Sequence, residues 1–302
     1  ELIEYAENQK LDSVLLNTLN LFESLEQSHL VKLKNRADEA EISIYTGAGS
    51  ISEKSVKFSG KYGSPNELLK KGIEVATAVG SPIVGCRIGN QQDRYSKGGI
   101  EAHMEAVIKV MKSLRSRVLD ANIKFAFENH AGDLRTEELL TIINETGTDI
   151  CGALFDPVNA VWAMEDPMVA LKKLGSNIVC TSVRDIQIWE TGEGATFQGM
   201  AIGEGILDYQ LFAKRMSAYS PGVPLHIETI SNSARPIPFL KSEFWKGFPN
   251  ISAASIIDFL KLIRKGTAQE IIKPPENKEK RAFQNKQKKS ELSKSVIYLR
   301  KY

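Results

Sequence analysis

The chain is short of cysteine and histidine and lacks any long apolar run, and each shortage closes off a class of protein. Its three cysteines, Cys86, Cys151 and Cys180, are odd in number, far apart and set in apolar stretches. A disulfide scaffold is therefore excluded, and reduced, buried thiols in a reducing compartment are expected. The longest apolar stretch, residues 251–263, is broken by serine, aspartate and lysine, short of the roughly 20 uninterrupted residues a membrane helix needs. No glycine-rich phosphate loop follows an early strand. Gly47-Ala48-Gly49 lacks a third glycine and Gly203-Glu204-Gly205 comes late, which weighs against a doubly wound nucleotide fold.

Charge of one sign is scarce too. The net charge is +2, yet residues 273–302 hold ten lysines and arginines against three glutamates, so that this segment is +7 and residues 1–272 are −5. An acidic body argues against a nucleic-acid partner. What is present is an ordinary core-forming composition, 42% hydrophobic and 25% charged over 302 residues, which excludes disorder of the whole chain. The first residue, Glu1, already lies in a helical pattern. The reduced cysteines make a cytoplasmic location the expectation, and a segment removed or missing upstream keeps export open.

Hydrophobic period gives strands at residues 11–18, 42–46, 83–88, 123–128, 150–155, 178–183 and 224–230. Helical spans at 1–10, 21–40, 66–79, 100–121, 136–145, 167–174, 209–218 and 252–265 alternate with them. Parallel strands cannot be joined by tight turns, so strict alternation implies helical crossovers and a parallel sheet. Seven strands and eight helices point to an α/β fold, a (β/α)8 TIM barrel whose first strand is expected upstream of residue 1. Residues 1–272 read as the barrel. Residues 273–302 read as a basic C-terminal extension, flexible over 273–289 and ending in a helix over 291–302, which could dock on the barrel or mediate homo-oligomers. Residues 189–199, with three glycines, read as a mobile loop.

Barrel active sites sit at the carboxyl ends of strands, and here those ends are polar. They deliver Glu128, Asn129 and His130; Asp156 and Asn159; Ser182, Arg184 and Asp185; His226 and Glu228. With Glu128-Asn129-His130, Phe155-Asp156-Pro157-Val158-Asn159, Glu165-Asp166-Pro167, Arg184-Asp185, the run from Gly203 to Tyr209, Ile227-Glu228-Thr229 and a closing 295–300 helix in this order, nearly the whole chain resembles the sugar phosphate isomerase/epimerase family of xylose isomerase-like TIM barrels. The resemblance implies one divalent metal held by Glu, Asp, His and Glu, which fall on Glu128, Asp156, position 182 and Glu228. The family's His-x-Lys-Asp reads Ser182-Val183-Arg184-Asp185 here. Ser182 thus stands where a strong ligand is expected, and His226, two residues before Glu228 on the same strand face, either reaches the metal, orients Glu228 or is a core histidine bonded to a backbone carbonyl. The family's DNA-repair relatives use several strand-end histidines; with four in all, and His29 and His103 on helices, that reading fails.

Physically, converging carboxylates repel unless a cation compensates them or each finds its own ion pair. An oxygen-rich set lacking imidazole suits Mg²⁺ or Mn²⁺ better than Zn²⁺ or Co²⁺. Arg184 either grips a substrate carboxylate or phosphate or pairs with Asp156 or Glu128. His130 is read as binding a substrate hydroxyl or as structural, and Asn159, Asp185 and Trp189 as further substrate contacts. The resemblance implies a metal-dependent isomerase or epimerase moving a proton beside the carbonyl of a keto-sugar or sugar acid, with Glu128 and Glu228 as the acid/base pair. A lyase using the same site, acting as decarboxylase, dehydratase or retro-aldolase, and a barrel that binds sugar without turnover are the alternatives.

Overall fold

The computed structural model describes residues 1–230, 234–270, 275–276 and 279–302. The chain divides into two compact units, one of Glu1–Phe155 with Ser176–Thr181 and the other of Asp156–Gly175 with Ser182–Tyr302.

The first unit carries six parallel strands hydrogen-bonded in chain order: β1 (Ser13–Leu16), β2 (Ser43–Ser50), β3 (Ile83–Arg87), β4 (Lys124–Glu128), β5 (Cys151–Phe155) and β6 (Ile178–Thr181). Sequential order with parallel pairing makes this sheet the half-barrel of a (β/α)8 fold. Helix α1 (Leu2–Asn8) leads into β1, and α2 (Gln27–Glu39), α3 (Pro65–Val79), α4 (Gly99–Ser113), α5 (Arg115–Asp120) and α6 (Thr136–Thr146) lie in the connections between strands. Local chemistry sets their ends. At α3, Ser64 and Glu67 form a reciprocal capping box, Pro65 opens the helix and Gly80 closes it at φ 71°. Ile83, Ala126, Leu154 and Cys180 form one buried cluster on this sheet. The apolar runs of the strands follow from burial on both faces. The cysteines belong to this interior, where burial pushes Cys151 up to about 12 and raises Cys86 and Cys180 strongly.

The second unit holds α7 (Pro157–Trp162), α8 (Pro167–Leu174), α9 (Tyr209–Tyr219), α10 (Ile257–Ile263) and α11 (Lys280–Leu299), with an antiparallel sheet of β7 (Asp185–Thr191), β8 (Gly194–Met200) and β9 (Ala234–Ile237). Three expectations change here. The segment 189–199, read as a loop, forms most of the β7–β8 hairpin, in which Ile186, Ile188, Ala195 and Phe197 are buried in period-two alternation; Gly192 lies in its turn, Gly194 opens β8 and Gly199 pairs with Ile186 inside the ladder. The strand at 224–230 contracts to one parallel bridge between Ile227 and Val183, since Pro224 has no N–H to give a ladder. The connector at 273–289 is helical from Lys280 onward, because residues 279–302 contain neither glycine nor proline and are rich in helix formers. The boundary at 272/273 and Pro274 lie outside the described residues. Among the described residues no helix is long and apolar enough to cross a membrane.

Candidate functional site

The second unit is organised by charged side chains at chain turns. Asp156 is the N-cap of α7, and Pro157 supplies the first helical position, where an N–H is not needed. Asp156 Oδ1 accepts from the backbone N–H of Val158 at 2.8 Å and of Asn159 at 3.1 Å, while Oδ2 accepts from Asn159 Nδ2 at 2.9 Å. The Asp-Pro-Val-Asn sequence is thus a helix start that fixes its own aspartate. Asp166-Pro167 repeats the device at α8, with Asp166 Oδ1 2.7 Å from the Met168 N–H.

Arg184 ties this aspartate to Glu228. Its Nη2 lies 3.0 Å from Asp156 Oδ2 and 3.1 Å from Asn159 Oδ1, and its Nη1 pairs with Glu228 Oε2. The bridge between Val183 and Ile227, closed by Val183 N–H to His226 O at 2.7 Å and Glu228 N–H to Val183 O at 2.9 Å, aligns the two segments. Ser182 Oγ lies 3.4 Å from the same Glu228 oxygen. Asp156 and Arg184 are buried, whereas the Glu228 side chain keeps 26% exposure. Glu228 is therefore the member of the group that a ligand can reach.

Asp185 has a different task from the substrate contact read from its position. Its carboxylate accepts four backbone N–H groups, Ile186 at 2.8 Å, Gly203 and Gly205 at 3.0 Å and Leu207 at 3.1 Å. A Cβ on Gly205 would lie 2.1 Å from Asp185 Oδ1, so glycine is needed there for the loop to approach. Burial nevertheless raises the Asp185 carboxyl to about 6 against these four donors. Tyr209, at the end of the same loop, donates its hydroxyl to the Arg184 carbonyl at 2.6 Å. Burial first, and then Asp185 and Asp156, push its hydroxyl well above the usual range. Helix α11 completes the loop, with Ser295 Oγ accepting from Ile202 N–H at 3.0 Å and Lys294 pairing with Glu204 at 2.6 Å. Trp189 is half-buried on β7 opposite Thr196. Trp162 meets Phe197 edge to face at 5.4 Å, and Trp245 donates to the Phe239 carbonyl at 2.7 Å.

Glu128 and His130 belong to the first unit. Glu128, at the end of β4, accepts from Arg87 Nη1 at 3.2 Å. His130 places its Nδ1 at the Gly89 carbonyl, and its N–H donates to Asp133 Oδ1 at 2.8 Å. Asp133 went unread in the sequence. Its other oxygen accepts from Gly89 N–H at 3.0 Å, and burial, with Glu128 adding to it, raises this carboxyl to about 7. The signal for it was a carboxylate three residues beyond His130, the spacing at which a side chain can accept its neighbour's backbone N–H.

Asp156, Asn159, Arg184 and Glu228 are thus drawn together, with Ser182 beside them. For a divalent cation this donor set does not fit: the Asp156 and Glu228 oxygens that an ion would take bond a guanidinium, and Ser182 offers a neutral hydroxyl in place of imidazole. Among the described residues no group of three or more His, Cys, Asp or Glu side chains is gathered as one ion requires.

Among curated proteins the chain is similar to a 3-oxo-isoapionate decarboxylase of Pectobacterium atrosepticum, 28% identical over 90 residues, which cover 29% of this chain and 32% of that protein. The match spans about a third of the length of the curated relatives. Among solved structures it is similar to a D-psicose 3-epimerase, with a TM-score of 0.59 at 11% identity over 88% of this chain and 92% of the other. It is also similar to the IolI protein with a bound zinc atom, with a TM-score of 0.54 at 15% identity over 88% and 93%. At these identities the likenesses carry the fold. The model of the xylose isomerase-like TIM barrel family matches residues 3–246, and the chain belongs to that family.

Proposed function

We propose that the protein is a sugar isomerase or epimerase that moves a proton on the carbon beside the carbonyl of a keto-sugar or sugar acid. The observation that carries this reading is the Asp156–Arg184–Glu228 group. It sets an accessible carboxylate against a fixed cation at the strand-end positions where the family resemblance puts its reacting groups. Removing such a proton creates an enediolate. A base must take the proton and positive charge must meet the oxygen that becomes negative.

The chain's own residues divide these tasks. Glu228, the partly exposed carboxylate, takes the proton. Arg184 directs three of its five N–H groups to Glu228, Asp156 and Asn159, and its fixed charge meets the developing oxyanion. Asp156 and Asn159 hold that guanidinium in place. Glu128 is the proposed second member of the acid/base pair, giving the carbon a solvent-derived proton while Glu228 keeps the one it removed. His130 and Trp189 are proposed contacts to substrate hydroxyls and the sugar face. Metal dependence, and with it a preference for Mg²⁺ or Mn²⁺ over Zn²⁺ or Co²⁺, would require Asp156 and Glu228 to be released from Arg184, and no step here uses an ion. The similarity to a decarboxylase favours one second reading, a lyase on a sugar acid whose carboxylate meets Arg184.

The test is proton exchange. Purified protein incubated in heavy water with a panel of ketoses and sugar acids is expected to place deuterium on the carbon beside the carbonyl of one of them, read by NMR. Release of CO₂ from a sugar acid without exchange would assign the lyase instead. Calorimetric binding of a sugar without exchange or product would leave a binding barrel.

A further inference from the structure

We infer that the guanidinium of Arg184 takes the place of the divalent cation in this chain, so that Asp156 and Glu228 are bridged by a side chain and not by an ion. The inference rests on the reading of this group as the reacting site, but its test needs no substrate.

Three observations carry it. First, one planar cation reaches both carboxylates and an amide oxygen at once, at Asp156 Oδ2 (3.0 Å), Asn159 Oδ1 (3.1 Å) and Glu228 Oε2. A flat fork with five donors can bridge in this way, and the compact ammonium of a lysine cannot. Second, the arginine is locked in position. Its carbonyl accepts the Tyr209 hydroxyl at 2.6 Å, the next residue clamps the loop of Gly203 to Leu207, and the whole residue is buried. Swinging the guanidinium out to admit an ion would leave Asp156, 0% exposed, to exchange one cation for another while a second positive charge stays close by. Third, the residue two positions earlier on the same segment is Ser182, whose hydroxyl makes only a 3.4 Å contact to Glu228 and is a weak, neutral ligand. A weak neutral ligand and a bridging guanidinium thus stand two residues apart on one segment.

The experiment is metal titration by calorimetry after dialysis against EDTA, using MnCl₂ and ZnCl₂. Wild-type protein is expected to show no saturable heat up to millimolar metal. The uncharged Arg184→Gln and the double change Ser182→His with Arg184→Lys are expected to bind Mn²⁺ or Zn²⁺ at least about 100-fold more tightly than wild type, with circular dichroism showing the fold retained. Stoichiometric micromolar binding by wild type would overturn the inference. So would unchanged affinity in whichever variant stays folded. Where a substrate is in hand, EDTA-insensitive exchange supports the inference and EDTA-sensitive exchange overturns it. If no sugar is ever turned over, the metal titration still decides the inference while the proposed function fails separately.

Discussion

Two arginine–carboxylate contacts, one in each unit, show how differently the two regions are held together. In the first unit Arg87 meets Glu128 at 3.2 Å at the edge of a continuous parallel ladder, and the Arg87 side chain keeps 19% exposure. The backbone there would hold its course without the pair, because β4 is hydrogen-bonded to β3 and β5 along its length. In the second unit Val183 and Ile227 share a single bridge, and Arg184, Asp185 and Asp156 supply the remaining order through side-chain bonds to helix starts and loop amides. A regular sheet therefore satisfies its backbone by its own pattern, and an irregular rim needs charged residues to do so.

The largest expected effect is on chemistry. Glu228→Gln keeps a polar partner for Arg184 but removes the base, and should lower deuterium exchange by about 10²–10⁴-fold with the circular dichroism spectrum unchanged. Equal rates for variant and wild type would show that the reacting carboxylate lies elsewhere. Next comes stability. Arg184→Met leaves Asp156 buried without its cation, which should cost about 3–5 kcal/mol in urea unfolding. Arg87→Met, at a pair whose arginine is partly exposed and whose Glu128 is buried, should cost less, about 1–3 kcal/mol; equal losses would erase the contrast between the two units. Leu154→Ala, in the buried cluster of the parallel sheet, should cost about 2–5 kcal/mol through the cavity it leaves. Asp166→Ala, which removes the cap of α8, should cost about 0.5–2 kcal/mol.

The smallest effect is a pH dependence. Burial and the neighbouring Glu204 raise the Glu291 carboxyl on α11 to about 7, while Lys294 and Lys288 oppose the rise. A carboxyl whose value is raised in the folded protein stabilises it while protonated. Docking of α11 should therefore be firmest below about pH 4.5 and weaken as the pH rises through about 7. Amide hydrogen exchange of α11 measured between pH 6 and 8 should show protection falling with pH beyond the intrinsic trend, and Glu291→Gln should flatten it.

The parallel sheet was legible because burial on both faces writes continuous apolar runs, and a run such as Ile83 to Ile88 or Phe125 to Glu128 is short, β-rich and bounded by polar residues. Residues at the strand ends were legible for the same reason: in a βα repeat the first polar residue after an apolar strand marks the rim. The β7–β8 hairpin was missed because Gly192, Gly194 and Gly199 outweighed the alternation of Ile186, Ile188, Ala195 and Phe197. Helix α11 was shortened because its buried side, Ser295 and Val296, is narrow and the rest is charge.

The amino-acid order alone carried the βα alternation, the helix starts at Asp156-Pro157 and Asp166-Pro167, and the substitution of Ser182 and Arg184 for the family's pattern, since each depends on residues within a few positions of one another. Which partner each charge takes was decided only in three dimensions. Arg184 could have faced a substrate, Asp156 or Glu128, and Asp185 could have faced a ligand or a loop. Charges choose partners by distance and burial across gaps such as the 44 residues between Arg184 and Glu228, and folding sets that distance.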